Sequence, residues 1–459
     1  MFRILMRSAL AGVFATAAIA APVSKSSQPG VRPELGPKWA PVLAGTAVVR
    51  RALPGHESAT PALRPRARPT PAKEVVPVIT LSTKSPDEFP AWIKGFRTRA
   101  LARGIRANVF DGAFDGVTYD AKVIERDRNQ NEFTKTIWDY LDTAVSDLRI
   151  ANGRTALDRH RKTLAAIEAK YNVDKEVVAA IWGLESAYGT FRGGNDVIRS
   201  LATLAFDTRR GAFFEGELLG ALKILQSGDA SPRSMTGSWA GAMGHTQFIP
   251  TSYLSYAVDF TGDGKRDIWG EDPTDALAST AAYLAAFGWK MGQPWGVEVT
   301  LPDGFDWASA NRENKKPPAA WARLGVVAVD GAPIPDHGPA SVLLPAGALG
   351  AAFLVFDNFA VIERYNTADA YVIGVGHLAD RIAGRGPIRA TWPRGDRALS
   401  LEEREEMQRL LTAQGFDTKG IDGKIGPLTI QAVRDFQRKL DVPPDGYAAL
   451  SVLERLRRQ

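Results

Sequence analysis

The sequence predicts a mainly α-helical protein, with a small β element late in its larger domain and a compact three-helix unit at the C-terminus. Three observations carry that expectation. Apolar residues recur at helical spacing through most of 87–385. Strand-like runs are few and fall between 297 and 363. After a short basic stretch, 400–459 reads as two helical patterns flanking a Gly/Asp-rich turn, with a last helix behind them. A chain of 459 residues has room for two or three domains with sizeable cores. Hydrophobic and charged fractions of 45% and 24% place it with soluble globular proteins.

Taken in order, Met1–Arg7 is a positive n-region, Ser8–Ile19 a short core of apolar and small residues, and Ala18–Ala20 an A-x-A cleavage signal. Residues 1–20 therefore read as a secretory signal peptide. The run falls short of the roughly 20 residues that span a bilayer, so no membrane anchor is expected in the mature form. The expected localisation is the periplasm of a Gram-negative envelope. Residues 21–86 are an extended tether without a core, since 22–86 holds twelve of the 29 prolines. That stretch carries +7 and the first twenty residues +2, which leaves −3 on the rest of a chain whose total is +6. A near-neutral body argues against nucleic acid as a partner. The chain has no Cys, which excludes disulfides, thiol catalysis, thiolate metal sites and a lipid-bearing cysteine after the signal.

The helical domain opens at 89–102 and continues through 133–152, 156–171, the helix that follows Asp174, 215–227 and 275–287. Strands are expected at 297–301, 326–329, 352–356 and 360–363. Residues 386–399 read as a second linker. In 400–459, helices at 401–413, 429–440 and about 448–457 would enclose Met407, Leu410, Leu411, Ile430, Val433, Phe436 and Leu440.

The helix after Asp174 delivers the most informative carboxylate of the chain. Val177, Val178, Ile181, Trp182 and Leu184 would pack it into a core; Asp174 suits the N-cap and Gly189 the C′ stop. Glu185 then lies in the last turn, where the negative end of the helix dipole and apolar neighbours both favour the protonated acid. A carboxylic acid held protonated near neutral pH is what general acid catalysis requires. On its own, such a Glu reads first as a residue satisfying a loop or a salt bridge, and the catalytic reading needs the segments that follow. Glycoside cleavage usually employs two carboxyl groups about 5–9.5 Å apart. Asp196, Asp207, Glu215 and Glu217 are the nearest acids in sequence, and none stands in a stretch that singles it out.

Three further segments bear on Glu185. Gly237–Pro250 is glycine-rich and uncharged and ends in Gln-Phe-Ile-Pro; its small residues let a sugar chain approach the backbone. Asp259–Trp269 is an acidic loop, and Arg364-Tyr-Asn-Thr367 follows an apolar run through Phe359, Val361 and Ile362. In this order over about 87–385, with the Glu185 helix, these motifs resemble the membrane-bound lytic transglycosylase B family of peptidoglycan-cleaving enzymes (glycoside hydrolase family 103). In 400–459, Asp422-Gly, Gly426-Pro, Leu428-Thr, Ala432-Val and Phe436-Gln resemble the family-one peptidoglycan-binding domain. Many members of the first family are lipoproteins, a pattern from which this cysteine-free chain departs.

The resemblance implies a lysozyme-like catalytic fold, peptidoglycan glycan strands as the partner and no required cofactor. It implies that Glu185 acts first as acid and then as base. The C6 hydroxyl of N-acetylmuramic acid closes on C1 to leave a 1,6-anhydro end, so no second carboxylate is needed. It places Ser238, Gln247, Tyr365 and Asn366 at the substrate. Tyr188 is added as an aromatic that would face sugars, whereas Trp182 is assigned to the core and His245 to an exposed or satisfied loop position. Asp259, Thr261, Asp263 and Gly264 match EF-hand positions 1, 3, 5 and 6, and Lys265 offers its carbonyl at position 7. Position 12 is Gly270 instead of Glu; the resemblance substitutes Asp275, beyond a Gly270-Glu271 insertion. A structural Ca²⁺ and an Asp-Gly turn with solvated acids both fit. Two other functions stay open: a muramidase that cuts the same bond with water, and a non-catalytic wall-binding protein.

Overall fold

The computed structural model describes residues 84–129 and 135–459. The expected signal peptide, and all but the end of the expected tether, lie outside them. Helices build 89–382 around one large apolar core. The first matches its expected span, Phe89–Ala102. The helix expected over 133–152 is instead Ile137–Ala144 followed by Asp147–Arg159, because Ser146 takes an extended conformation between them. The next begins at Arg161, since His160 leaves the helical region. Val197–Phe206 is the most enclosed: every residue but Arg199 is buried, and Asp196 caps it by accepting from Arg199 N at 2.9 Å.

The Lys175–Ser186 helix packs against Asp147–Arg159, Thr274–Ala286 and Asp369–Ile382. Asp174 stands at its N-cap position but makes no capping bond. Its carboxylate accepts instead from Trp289 Nε1 at 2.8 Å and from Gly292 N at 3.2 Å. A cavity opens at this end of the helix, lined among others by Trp289, Trp295, Asp174 and Asp380. Asp174 and Asp380 are already bonded to the two indoles, and Glu176, which also lines the cavity, pairs with Lys175.

Two short ladders follow. Strands β1 (Asn195–Asp196) and β2 (Thr236–Gly237) pair antiparallel. The inserted sheet holds β3 (Gly296–Thr300), β4 (Val327–Ala328), β5 (Ser341–Leu343) and β6 (Ala352–Val355), antiparallel in the order β4-β3-β6-β5. It has its own core around Val299, Trp321, Val342 and Leu354. Strand β5, three residues long, carried too little pattern to be expected. The strand expected at 360–363 is helix Asp357–Tyr365: Phe359 and Ile362 are buried at a spacing of three, which outweighs the β-branched run.

Residues 386–399 lie along the larger domain instead of standing clear of it. Glu298 accepts from Arg389 N and Ala390 N, the Trp392 ring meets Trp138, and Arg394 pairs with Asp142 through both guanidinium nitrogens. The C-terminal unit is the expected three helices, Leu401–Ala413, Pro427–Lys439 and Leu450–Arg457. Ser400 and Glu403 form a capping box. Met407, Leu411, Val433 and Phe436 fill the core, with Leu410 and Leu440 packed at its edge and Ile430 half-buried. Asp445 accepts from Ala348 N at 2.7 Å, and Arg434 donates to the Ala310 carbonyl at 3.2 Å. Among the described residues no helix is long and apolar enough to cross a membrane.

Candidate active site

Glu185 is the penultimate residue of the Lys175–Ser186 helix. The chain then leaves through three successive left-handed residues, Ala187 (φ 48), Tyr188 (φ 59) and Gly189 (φ 86). The helix therefore ends two residues earlier than a Gly189 stop implies, and two non-glycine residues carry backbone strain. What holds them is packing. The Tyr188 hydroxyl donates to Arg149 O at 2.8 Å, and its ring lies where a Cβ on Gly183 would come within 2.5 Å. Ser186 Oγ donates to His245 O and accepts from Gly189 N. Gly183→Ala should force the Tyr188 ring out and destabilise the fold by about 1–3 kcal/mol. An unfolding midpoint equal to the parent's would show that the ring gives way freely.

Around Glu185 stand three tyrosines. Tyr371, on the Asp369–Ile382 helix, donates its hydroxyl to Glu185 Oε1 at 2.7 Å. Tyr365 stacks on Tyr371, with ring centroids 6.5 Å apart and planes 10° from parallel. Tyr140 is admitted by Gly374, where a Cβ would sit 2.9 Å from its ring. Burial pushes the pKa of Glu185 from its ordinary 4.5 up to about 8, against the opposing pull of the Tyr371 hydrogen bond. Burial first, and then the Glu185 carboxylate, hold the phenols of Tyr140, Tyr365 and Tyr371 above their usual value. Glu185 is thus the neutral acid at pH 7.

The other acids considered are occupied elsewhere. Asp196 caps its helix, Asp207 pairs with Arg128, and Glu215 pairs with Arg99. Glu217, buried and shifted upward by that burial, accepts from Thr251 N and Thr251 Oγ1. None contributes to the field at Glu185.

The Gly237–Pro250 loop turns on itself. Ser238 Oγ accepts from Ala240 N and Ala242 N, which leaves its proton to donate outward. Gln247 sits at φ 55, and its Nε2 donates to Arg192 O at 3.0 Å and Gly244 O at 2.9 Å. No donor among the described residues reaches its Oε1. His245 is buried, takes a hydrogen bond from Trp182 Nε1 on Nδ1, and presents Nε2 to Gly270 O at 2.8 Å. That pairing makes it a neutral, satisfied imidazole, and burial lowers its pKa in the same sense. Trp182 is buried, in the core.

The Arg364–Thr367 turn meets this loop from the other end of the chain. Tyr365 donates its hydroxyl to Thr246 O, which ties the residue before Asn366 to the residue before Gln247. Asn366 Oδ1 accepts from Ala368 N at 3.0 Å and starts the next helix, while its Nδ2 finds no acceptor among the described residues. Tyr371 and Tyr140 were missed by sequence reasoning, because an aromatic at helical spacing reads as core.

In the acidic loop, carboxylate oxygens of Asp259, Asp263 and Asp275 lie within 4.8 Å of one another. Gly262 (φ 79) and Gly264 (φ 85) make the turn possible. Such an all-oxygen set suits a hard cation. The buried Asp275 already accepts from Phe260 N, Thr261 N and Asp267 N, and Asp259 from Gly262 N and Gly264 N. Thr261 donates to Asp259, and Lys265 N to Asp263. The Gly270-Glu271 insertion is held by Arg192, which donates to Trp269 O, Gly270 O and Glu271.

The fold and the site together define a helical enzyme scaffold in which a carboxylic acid of raised pKa stands among tyrosines. The chain belongs to the family of the Transglycosylase SLT domain, which matches residues 88–380, and a putative peptidoglycan binding domain matches 400–456. It is 34% identical over 251 residues to membrane-bound lytic murein transglycosylase B of Escherichia coli K12, spanning 53% of this chain and 66% of that protein. Crystal structures of SltB3 from Pseudomonas aeruginosa, in complex with NAG-anhNAM-pentapeptide and with NAG-NAM-pentapeptide, share 51% identity with it. They superpose with a TM-score of 0.78 over 80% of this chain and 99% of theirs. The E. coli lytic transglycosylase Slt35 in complex with calcium is 28% identical, with a TM-score of 0.56 over 63% of this chain and 92% of its own.

Proposed function

We propose that this protein is a peptidoglycan lytic transglycosylase that cleaves the β-1,4 bond between N-acetylmuramic acid and N-acetylglucosamine. The observation that carries the reading is Glu185, its pKa raised by burial to about 8, with no second carboxylate among the described residues contributing to that shift. In the first step Glu185 gives its proton to the bridging oxygen as the bond to muramic C1 breaks. The resulting carboxylate is stabilised by the Tyr371 hydroxyl. In the second step it takes the proton of the muramic C6 hydroxyl while that oxygen bonds to C1. The acid is restored, and the product carries a 1,6-anhydro ring. A hydrolase would need a base to activate water, and the acids nearest in sequence are committed to Arg128, Arg99, Thr251 and a helix cap.

Gln247 Oε1 and Asn366 Nδ2 offer one acceptor and one donor, chemistry that matches the N–H and C=O of an acetamido group. Ser238 donates from the loop, and Tyr365 forms the wall beside the acid. Tyr188, its hydroxyl held by Arg149, acts by setting the helix end. The C-terminal unit holds the enzyme on its insoluble substrate, which raises local substrate concentration. The protein works in the periplasm after loss of its signal peptide. Mass spectrometry of fragments released from purified peptidoglycan tests the activity. Ends of 1,6-anhydro-N-acetylmuramic acid are expected; reducing ends heavier by one water would make it a muramidase.

Asp259, Asp263, Asp275, Thr261 and the Lys265 carbonyl would hold a structural Ca²⁺, which would supply charge neutralisation in the loop and no step of the reaction. Asp275→Asn should lower the free energy of unfolding by about 1–3 kcal/mol even in chelator, because one backbone N–H loses its acceptor. Asp259→Asn should chiefly remove the extra stability gained on adding Ca²⁺. A parent protein whose unfolding midpoint ignores Ca²⁺ would refute the site.

A further inference from the structure

We infer that Arg312 is a positioning residue for the Tyr365–Asn366 turn, held in place in part by the C-terminal unit. Arg312 belongs to the inserted β region, in the loop between the Trp307–Ser309 turn and the Pro318–Arg323 helix. Its Nη1 donates to Glu363 and its Nη2 to Asp369, while the guanidinium lies 4.9 Å from the centre of the Phe359 ring. Glu363 is in the last turn of the helix that ends at Tyr365, and Asp369 is the first residue of the helix that carries Tyr371. One planar, permanently charged group therefore bridges the two helices on either side of the turn that presents Tyr365 and Asn366.

The other bonds of the turn are local or point elsewhere. Asn366 N donates to Ile362 O, Asn366 Oδ1 accepts from Ala368 N, and Tyr365 reaches Thr246. The first two lie within the turn and the third leaves it for the loop, so beside the Tyr365–Tyr371 stack the Arg312 bridge is the ionic link that joins the flanking helices to each other. Each ion pair is part-exposed and adds little to stability, so the effect expected is on geometry. The loop bearing Arg312 is itself gripped: Asn314 Nδ2 donates to Ser309 O, and Arg434 of the C-terminal unit donates to Ala310 O. A side chain of the wall-binding unit thus contacts the backbone two residues before the brace.

The inference rests on the proposed role of the Tyr365–Asn366 turn, and the test separates the two. The full mature chain is assayed on soluble glycan strands of alternating N-acetylglucosamine and N-acetylmuramic acid stripped of stem peptides, so attachment to insoluble wall plays no part. Arg312→Ala should lower kcat/KM about 10-fold, because small misplacements of a reacting site are costly. It should also move the basic limb of the pH profile downward, since a loosened Tyr365 admits water to Glu185. Arg312→Lys, with one point charge, should recover only part. The Glu363→Gln, Asp369→Asn double variant should reproduce the defect, and adding Arg312→Ala to it should cost nothing more. Arg434→Ala should lose about two- to threefold on the same soluble strands, by the same geometric sensitivity. Wild-type kinetics and pH profile in Arg312→Ala overturn the brace; wild-type kinetics in Arg434→Ala overturn the part of the C-terminal unit. Wild-type kinetics in Asn366→Ala overturn instead the reading of the turn on which the inference rests.

Discussion

Glu185→Gln should end glycan cleavage, with a fall of at least about 10²–10⁴-fold, the range that a positioned general acid contributes. Release of anhydro-muramic ends measures it, and co-sedimentation with sacculi should be unchanged because the C-terminal unit is untouched. The same variant should be more stable than the parent, and more so at high pH. Glu185 has its pKa raised by burial from 4.5 to about 8. Between those values the unfolded chain gives up a proton that the folded chain keeps. The stability available from burying the neutral acid is therefore full below pH 4.5 and is lost as pH rises through 8. Gln does not titrate and escapes that loss. Parent and variant should unfold alike near pH 4 and separate by about 1–3 kcal/mol near pH 9, after allowance for solvent screening of a half-buried group. Retained cleavage would move the acid elsewhere in the cleft.

Tyr371→Phe should lower kcat about 10- to 100-fold, the worth of one hydrogen bond to a group that becomes charged during reaction. The Tyr371 hydroxyl favours the carboxylate form of Glu185, so its loss should carry the pKa higher still. The basic limb of the rate profile is then expected to shift to higher pH while the rate at its plateau falls. A structural defect alone would lower the plateau and leave the limb in place. The two movements have opposite consequences for rate at alkaline pH, which makes the profile the deciding measurement.

Much of this site was legible because its parts are local. Val177–Leu184 announces a buried helix through spacing, and the Gly-rich loop and the acidic turn each declare themselves within a dozen residues. What escaped was set by distant partners. Tyr371 meets Glu185 across 186 residues, and nothing in its own helix distinguishes it from a core aromatic. The stop at Ala187 instead of Gly189 follows from the ring of Tyr188 turning back over Gly183, a demand of packing that propensity does not contain. Asp174 stands where an N-cap belongs yet serves Trp289, because an indole N–H brought in from the 287–295 segment competes for the same carboxylate. The segment 360–363 shows the converse: the apolar and β-branched run Ala360-Val361-Ile362 suggested a strand, while burial of Phe359 and Ile362 on one face made it a helix.

The three backbone amides gathered by Asp275 have a consequence for where such an enzyme can work. A loop that waits for an ion before it folds makes its owner a sensor of that ion. A loop already tied by its own carboxylate answers the ion only by stiffening. Divalent cations in the outer layers of a cell are exchanged with the medium and stripped by chelators, so an enzyme that cuts the wall there meets both full and depleted conditions. Built this way, the loop would keep its shape through depletion, and a bound cation would serve only as reinforcement.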